Sequence, residues 1–161
     1  MQDTNALLQP RIVEQGPLVI AGLRETHVGS NAGIPAQWVR FASHVGTIPG
    51  EIKGAAYGVC LETCPGGDGS FDYLAGVAVS DASRIPEGLD PVTLPAGRYA
   101  VFDHDGHVST LPQTIEGIWK RWLPTAREVP DGGVAFFERY GEAFDPVSGR
   151  GGIEVWVPLT A

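Results

Sequence analysis

Twenty-two glycines and 13 prolines are spread through the 161 residues and cut the chain into short elements. Two periodicities fill the gaps between these breaks. Residues 11–14 and 18–23, separated by Gly16-Pro17, read as strands, as do 54–61, Phe71–Val79, the strand-rich stretch 91–102, Val134–Tyr140 and Ile153–Leu159. Two segments carry the spacing of one helical face instead. Trp38, Phe41, Ala42 and Val45 do so within 34–45, with Pro35 in the first turn. Ile115, Ile118, Trp119, Trp122 and Leu123 do so within 114–123. Gly/Pro/Asp clusters at 65–69 and 145–149 mark turns.

The order strand, helix, strand, strand therefore occurs twice, at about 10–80 and 90–160, after a polar stretch 1–9 that is expected to be disordered. A unit this small cannot cover both faces of its own strands, so the two are expected to pack together. The expected fold class is α+β, one domain over 10–161. Two strand-helix-strand-strand units would form one antiparallel sheet with both helices on one face. A ligand cleft is expected between the halves, on the opposite, concave face. The 43% hydrophobic content is enough for a core.

A net charge of −8 argues against nucleic acid or an anionic membrane as partner, because both call for a basic surface. The acidic balance favours cationic ligands. The apolar runs fall short of the ~20 residues of a membrane span and no charged-then-apolar leader opens the chain, so a cytoplasmic protein is expected. Cys60 and Cys64 lack CxxC spacing, and the four histidines are dispersed. Free thiols, no metal and no cofactor are expected. No glycine-rich segment has the lysine of a phosphate-binding loop, and no serine sits in a nucleophile elbow.

Two carboxylates lie among aromatic residues on strands. Alternation puts Glu154 and Trp156 on one face of the last strand, with Ile153, Val155 and Val157 on the other. A carboxylate beside an indole can receive a flat organic cation, although a surface Glu next to a half-buried Trp has the same pattern. In Val134–Tyr140, Phe136, Glu138 and Tyr140 share a side. Burying Glu138 there requires a donor, a cation or a proton, and pairing with Arg98 or Arg139 is the purely structural alternative. If Glu138 and Glu154 are neighbours on adjacent strands, their repulsion raises one pKa, which suits cation capture and acid–base chemistry equally. Tyr57 and Tyr73 lie on strands and need partners for their hydroxyls when buried. Phe71 shares the face of Tyr73 as core or as wall. Trp38 and Trp122 have core spacing, whereas Trp119 has an edge free to turn toward the cleft. His104, between Asp103 and Asp105, reads either as an oriented base or as a solvated turn residue.

Six stretches in order carry a family resemblance that covers about Pro10 to Leu159. They are Ala56-Tyr57-Gly58-Val59; Phe71-Asp72-Tyr73-Leu74-Ala75-Gly76-Val77; Pro95-Ala96-Gly97-Arg98-Tyr99-Ala100-Val101-Phe102; Ile118-Trp119 with Trp122-Leu123-Pro124; Phe137-Glu138-Arg139-Tyr140; and Ile153-Glu154-Val155-Trp156-Val157-Pro158. Through them the chain resembles the GyrI-like family, the effector-binding domain that also ends many AraC-type and multidrug-responsive transcription activators. The resemblance implies a duplicated fold whose cleft holds a buried acid ringed by aromatics, with the tyrosines of the first two stretches facing the ligand. Glu138, Glu154, Tyr57, Tyr73, Trp156, Phe71, Trp119, Tyr140 and His104 are the site residues it implies here.

No helix-turn-helix segment stands before the domain, so the expectation is a freestanding module, monomer or homodimer, without direct DNA binding. It would bind hydrophobic molecules, cationic or polycyclic aromatic. An alternative is a hydrolase of strained cyclopropane-bearing natural products that uses Glu138 or Glu154. A third reading is a gyrase-modulating protein.

Overall fold

Alternating apolar residues set the strands, and the Pro95-Ala96 pair divides the stretch expected as one strand-rich unit into two. The computed structural model describes residues 10–28, 33–63, 71–104, 106–118, 134–145 and 147–159. Its strands are β1 (Arg11–Gln15), β2 (Leu18–His27), β3 (Ala56–Thr63), β4 (Phe71–Val79), β5 (Asp90–Leu94), β6 (Gly97–His104), β7 (Val134–Tyr140) and β8 (Ile153–Leu159). Helix α1 (Ile34–Ala42) lies between β2 and β3, and α2 (Leu111–Gly117) between β6 and β7. The expectations for 1–9, for the 65–69 turn, for Cys64 and for Trp119 and Trp122 fall outside the described residues.

All eight strands form one antiparallel sheet in the order β1-β6-β8-β7-β3-β4-β2-β5. The halves meet where β3 pairs β7, with Gly58 opposite Glu138. The leading strands are exchanged: β1 pairs with β6 of the second half, and β5 pairs with β2 of the first. This exchange forces curvature. Only Gly16-Pro17 joins β1 to β2, which stand first and seventh in the sheet, and only Pro95-Ala96 joins β5 to β6, eighth and second. In a flat sheet those ends would be ~29 Å apart, whereas a two-residue link reaches ~11 Å. The sheet must curl until its edges approach. Facing glycines help: a Cβ on Gly22 would lie 2.3 Å from the Ala75 carbonyl oxygen, and one on Gly76 2.4 Å from that of Ala21.

The concave side of the curl is a core in its own right, contrary to the expectation of a cleft there. Residues from both ends of the sheet, including Ile20, Tyr57, Leu94, Tyr99, Phe137 and Trp156, close on one another. Phe137 stacks on Trp156 at 5.3 Å, and Tyr99 meets both rings edge-on at 5.6 and 5.5 Å. What remains is a hollow of about 40 Å³, far below the ~300 Å³ of a small organic ligand site.

Both helices pack on the other face. α1 covers Tyr73, Ala75 and Val77 through Phe41, with Ile34 and Trp38 beside it. α2 covers Ala100, Phe102, Ile153 and Val155 through Leu111, and Ile118 just beyond its end joins the same cluster. The inward positions of α1 are Ile34, Gln37, Trp38 and Phe41 rather than the expected set ending at Val45. The chain leaves the helix after Ala42, and Val45 is 52% exposed. α2 starts at Leu111, three residues before the expected Thr114, with a proline in its first turn as in α1.

Candidate functional site

Glu138 lies on the helix-bearing face, at the seam between the halves, and is only 7% exposed. Alternation along β7 turns Phe136 and Tyr140 to the same side, where they pack beside the α2 cluster. The Tyr140 hydroxyl donates to Glu138 Oε1 at 2.7 Å. Tyr73 comes from β4, on the far side of β3, and its hydroxyl donates to the same oxygen at 2.8 Å. It reaches Glu138 by passing over Gly58. A Cβ there would lie 1.9 Å from the Tyr73 hydroxyl and 2.7 Å from Oε1, so any side chain at position 58 would occupy the space where the two meet.

The helix supplies the next member. Trp38 Nε1–H donates to the Tyr73 hydroxyl at 3.2 Å, and its ring stands edge-on to Tyr140 at 5.7 Å. Gln37, fully buried beside it, anchors α1 to the sheet: its Nε2 donates to the carbonyls of Leu23 and Tyr73, both at 2.8 Å. That leaves Gln37 Oε1 as an acceptor, so His27 Nε2, 2.6 Å away, carries the proton.

Burial raises the Glu138 pKa above the ordinary carboxylate value, and the two tyrosine hydrogen bonds only partly offset this. Burial and the adjacent carboxylate push Tyr73 and Tyr140 well above the ordinary phenol range, so both stay protonated donors. The Cys60 thiol, pushed up to about 12 by burial and by Glu138, also stays protonated and is no nucleophile at neutral pH.

The remaining expected residues are placed elsewhere. In the β7–β8 register Glu138 faces Val155 and Arg139 faces Glu154, so the two acids sit on opposite sides of the sheet. The expected mutual repulsion is absent, and burial is what raises Glu138. Among the described residues Glu138 does not pair with an arginine either. Glu154 does, through Arg11 Nη2 at 3.0 Å and Arg139 Nη1 at 3.7 Å, and it accepts from Trp156 Nε1 at 3.0 Å. Tyr57 and Trp156 belong to the concave core, where Tyr57 leans on Phe137 at 5.9 Å. His104 ends β6 and is 8% exposed, not a solvated turn residue. Its Nε2 donates to the His107 carbonyl at 2.9 Å and its Nδ1 pairs with Thr114 Oγ1 at 2.7 Å, tying the strand to α2. Near it, Asp103, Arg150 and Glu154 border an open hollow of about 410 Å³. Trp119 and the side chain of Phe71 lie outside the described residues.

Trp38, Gln37 and Gly58 are the members that sequence reasoning did not assign to the site. Two signals pointed to them. A lone glycine inside an apolar strand marks a close approach, and a glutamine between Ile34 and Phe41 interrupts an otherwise apolar helix face. Among the described residues no three His, Cys, Asp or Glu side chains are grouped to hold a metal ion, and no helix is long and apolar enough to cross a membrane.

Comparison with known proteins adds four findings. The model of the GyrI-like small molecule binding domain matches residues 8–160. The transcriptional regulator BrlR of Pseudomonas aeruginosa is 29% identical over 156 residues, which are 94% of this chain and 56% of the regulator. The chain thus spans about half the length of that curated relative. The solved structure of SAV2435 bound to tetraphenylphosphonium superposes with a TM-score of 0.75 at 21% identity, covering 94% of each chain. The C-terminal domain of EcmrR does so with a TM-score of 0.69 at 14% identity, covering 94% of this chain and 97% of that one. Both structures share the fold.

Proposed function

The chain belongs to the GyrI-like small-molecule-binding family, and from that premise we propose that its ligands are hydrophobic organic cations received at Glu138. The observation that carries this reading is a carboxylate 7% exposed, with no basic partner found among the described residues and with Tyr73, Tyr140 and Trp38 around it. A charge buried without a counter-ion costs free energy, and a ligand cation removes that cost on binding. Aromatic walls give contact area that tolerates varied ring systems. The tetraphenylphosphonium held by SAV2435, a protein of the same fold, is a cation of this kind. Glu154 is already matched by two arginines, so it contributes little to a ligand. BrlR is a transcriptional regulator. In this chain the bound state would serve sensing or sequestration of the ligand.

The test is a fluorescence titration with tetraphenylphosphonium and a rhodamine-like dye. Saturable quenching of tryptophan emission is expected, because Trp38 touches the Tyr73 hydroxyl. Glu138→Gln is expected to weaken binding by about tenfold or more, since it removes the charge and keeps the shape. No saturable quenching over a broad panel of cations would overturn the reading.

A further inference from the structure

The polar groups around Glu138 form a chain with one direction. Trp38 Nε1–H donates to the Tyr73 hydroxyl, whose own hydrogen goes to Glu138 Oε1. The Tyr140 hydrogen goes to the same oxygen. The Cys60 thiol points at the Leu61 carbonyl at 3.9 Å. Indole has a single N–H and each phenol a single O–H, so these three are fully engaged as donors. Glu138 Oε2 has no hydrogen bond among the described residues. No buried side-chain nitrogen or oxygen lacks a partner there, so Oε2 is the oxygen that keeps an open approach. What the cluster offers a ligand is therefore an acceptor and no donor.

We propose that this site, read as a cation receptor, selects protonated amines and related cations that carry an N–H over cations that carry none. The inference rests on the receptor reading and goes one step further, from charge to hydrogen-bonding type. Donorless cations gain only the Coulomb attraction and the ring contacts. An ammonium N–H also gives Oε2 the charge-assisted hydrogen bond it lacks. Two hydroxyls on Oε1 hold the carboxylate plane in place, so Oε2 is already positioned and little ordering opposes that bond.

The experiment uses a matched pair of probes, N,N-dimethyl-1-pyrenylmethylammonium, with one N–H, and its N,N,N-trimethyl analogue, with none. Both are cations at neutral pH and they differ by one methyl group. Calorimetric titration of the full chain is expected to show the dimethyl probe binding roughly tenfold tighter, the worth of one charge-assisted hydrogen bond. In Glu138→Gln both affinities are expected to fall and the ratio to shrink. Equal affinities, or tighter binding of the trimethyl probe, with both lost in Glu138→Gln, would overturn the donor preference and leave the receptor reading intact. If neither probe binds, or if Glu138→Gln binds both undiminished, the receptor reading fails and the preference with it. Tyr140→Phe is the second variant, for use if Glu138→Gln does not fold. Removing that hydroxyl leaves another lone pair on Oε1, so the ratio is expected to hold or widen, and its collapse to unity would overturn the proposal.

Discussion

As the proposed cation receptor, Glu138 would combine two demands that oppose each other, a charge for the ligand and burial that disfavours the charge. Its carboxyl is shifted upward by burial, so between its ordinary pKa and the raised one the folded chain binds more protons than the unfolded chain does. Stability from this group falls as pH rises through that window, so at neutral pH its burial is a standing cost whichever form it holds. Glu138→Gln is therefore expected to melt higher than the wild type at neutral pH, and the gap is expected to narrow as pH is lowered toward the ordinary carboxylate value. Thermal melts of both proteins across acidic to neutral pH check this. A variant less stable at neutral pH would show that the tyrosine hydrogen bonds more than compensate burial. Asp72 acts in the opposite sense: its hydrogen bonds from Thr26 and Arg24 hold its pKa down, so its contribution is lost on acidification. Comparing wild type with variant cancels that background.

Helix α1 has nine residues, no side-chain N-cap and no acidic residue in its first turn, so it holds its place by docking rather than by intrinsic propensity. Gln37 is the principal polar anchor, bridging β2, β4 and His27. Gln37→Leu leaves two carbonyls and the His27 N–H without it. The expected cost is about 2–4 kcal/mol in urea unfolding, together with weaker cation binding, because Trp38 is the next residue along. Unchanged stability would show that apolar packing alone seats α1. The same element shows where sequence reading ran short. Spacing found the helix and its inward Trp38 and Phe41 but missed Gln37 and ran the face on to Ala42 and Val45, because that face includes a glutamine and the helix stops at Ala42. Among strands, Phe71–Val79, Val134–Tyr140 and Ile153–Leu159 were legible to the residue, as was the grouping of Phe136, Glu138 and Tyr140. Alternation relates side chains within one strand and says nothing of the facing strand's register. Pairing Arg139 with Glu154, one step away from Glu138 with Glu154, is what separates the two acids. The approach of Tyr73 over Gly58 depends on two registers at once, which no local pattern contains.

At the scale of the molecule the chain is two similar units that lend each other a strand. A chain cut at the exposed loop near Glu87 and Gly88 is expected to give fragments that do not fold separately, because each would keep a leading strand without the strand it pairs with. Mixing them is expected to restore the sheet, read by circular dichroism and by restored cation binding. Independent folding of either fragment would contradict the exchange. The Gly16-Pro17 and Pro95-Ala96 links also bear on how the proposed receptor would deal with ligands of different shape. Because each link crosses from one unit to the other, the units cannot swing apart at their shared boundary without unzipping whole ladders of backbone hydrogen bonds. The floor under any guest is thus stiff, and fitting guests of unequal size becomes a task for single side chains such as Trp38 turning above it.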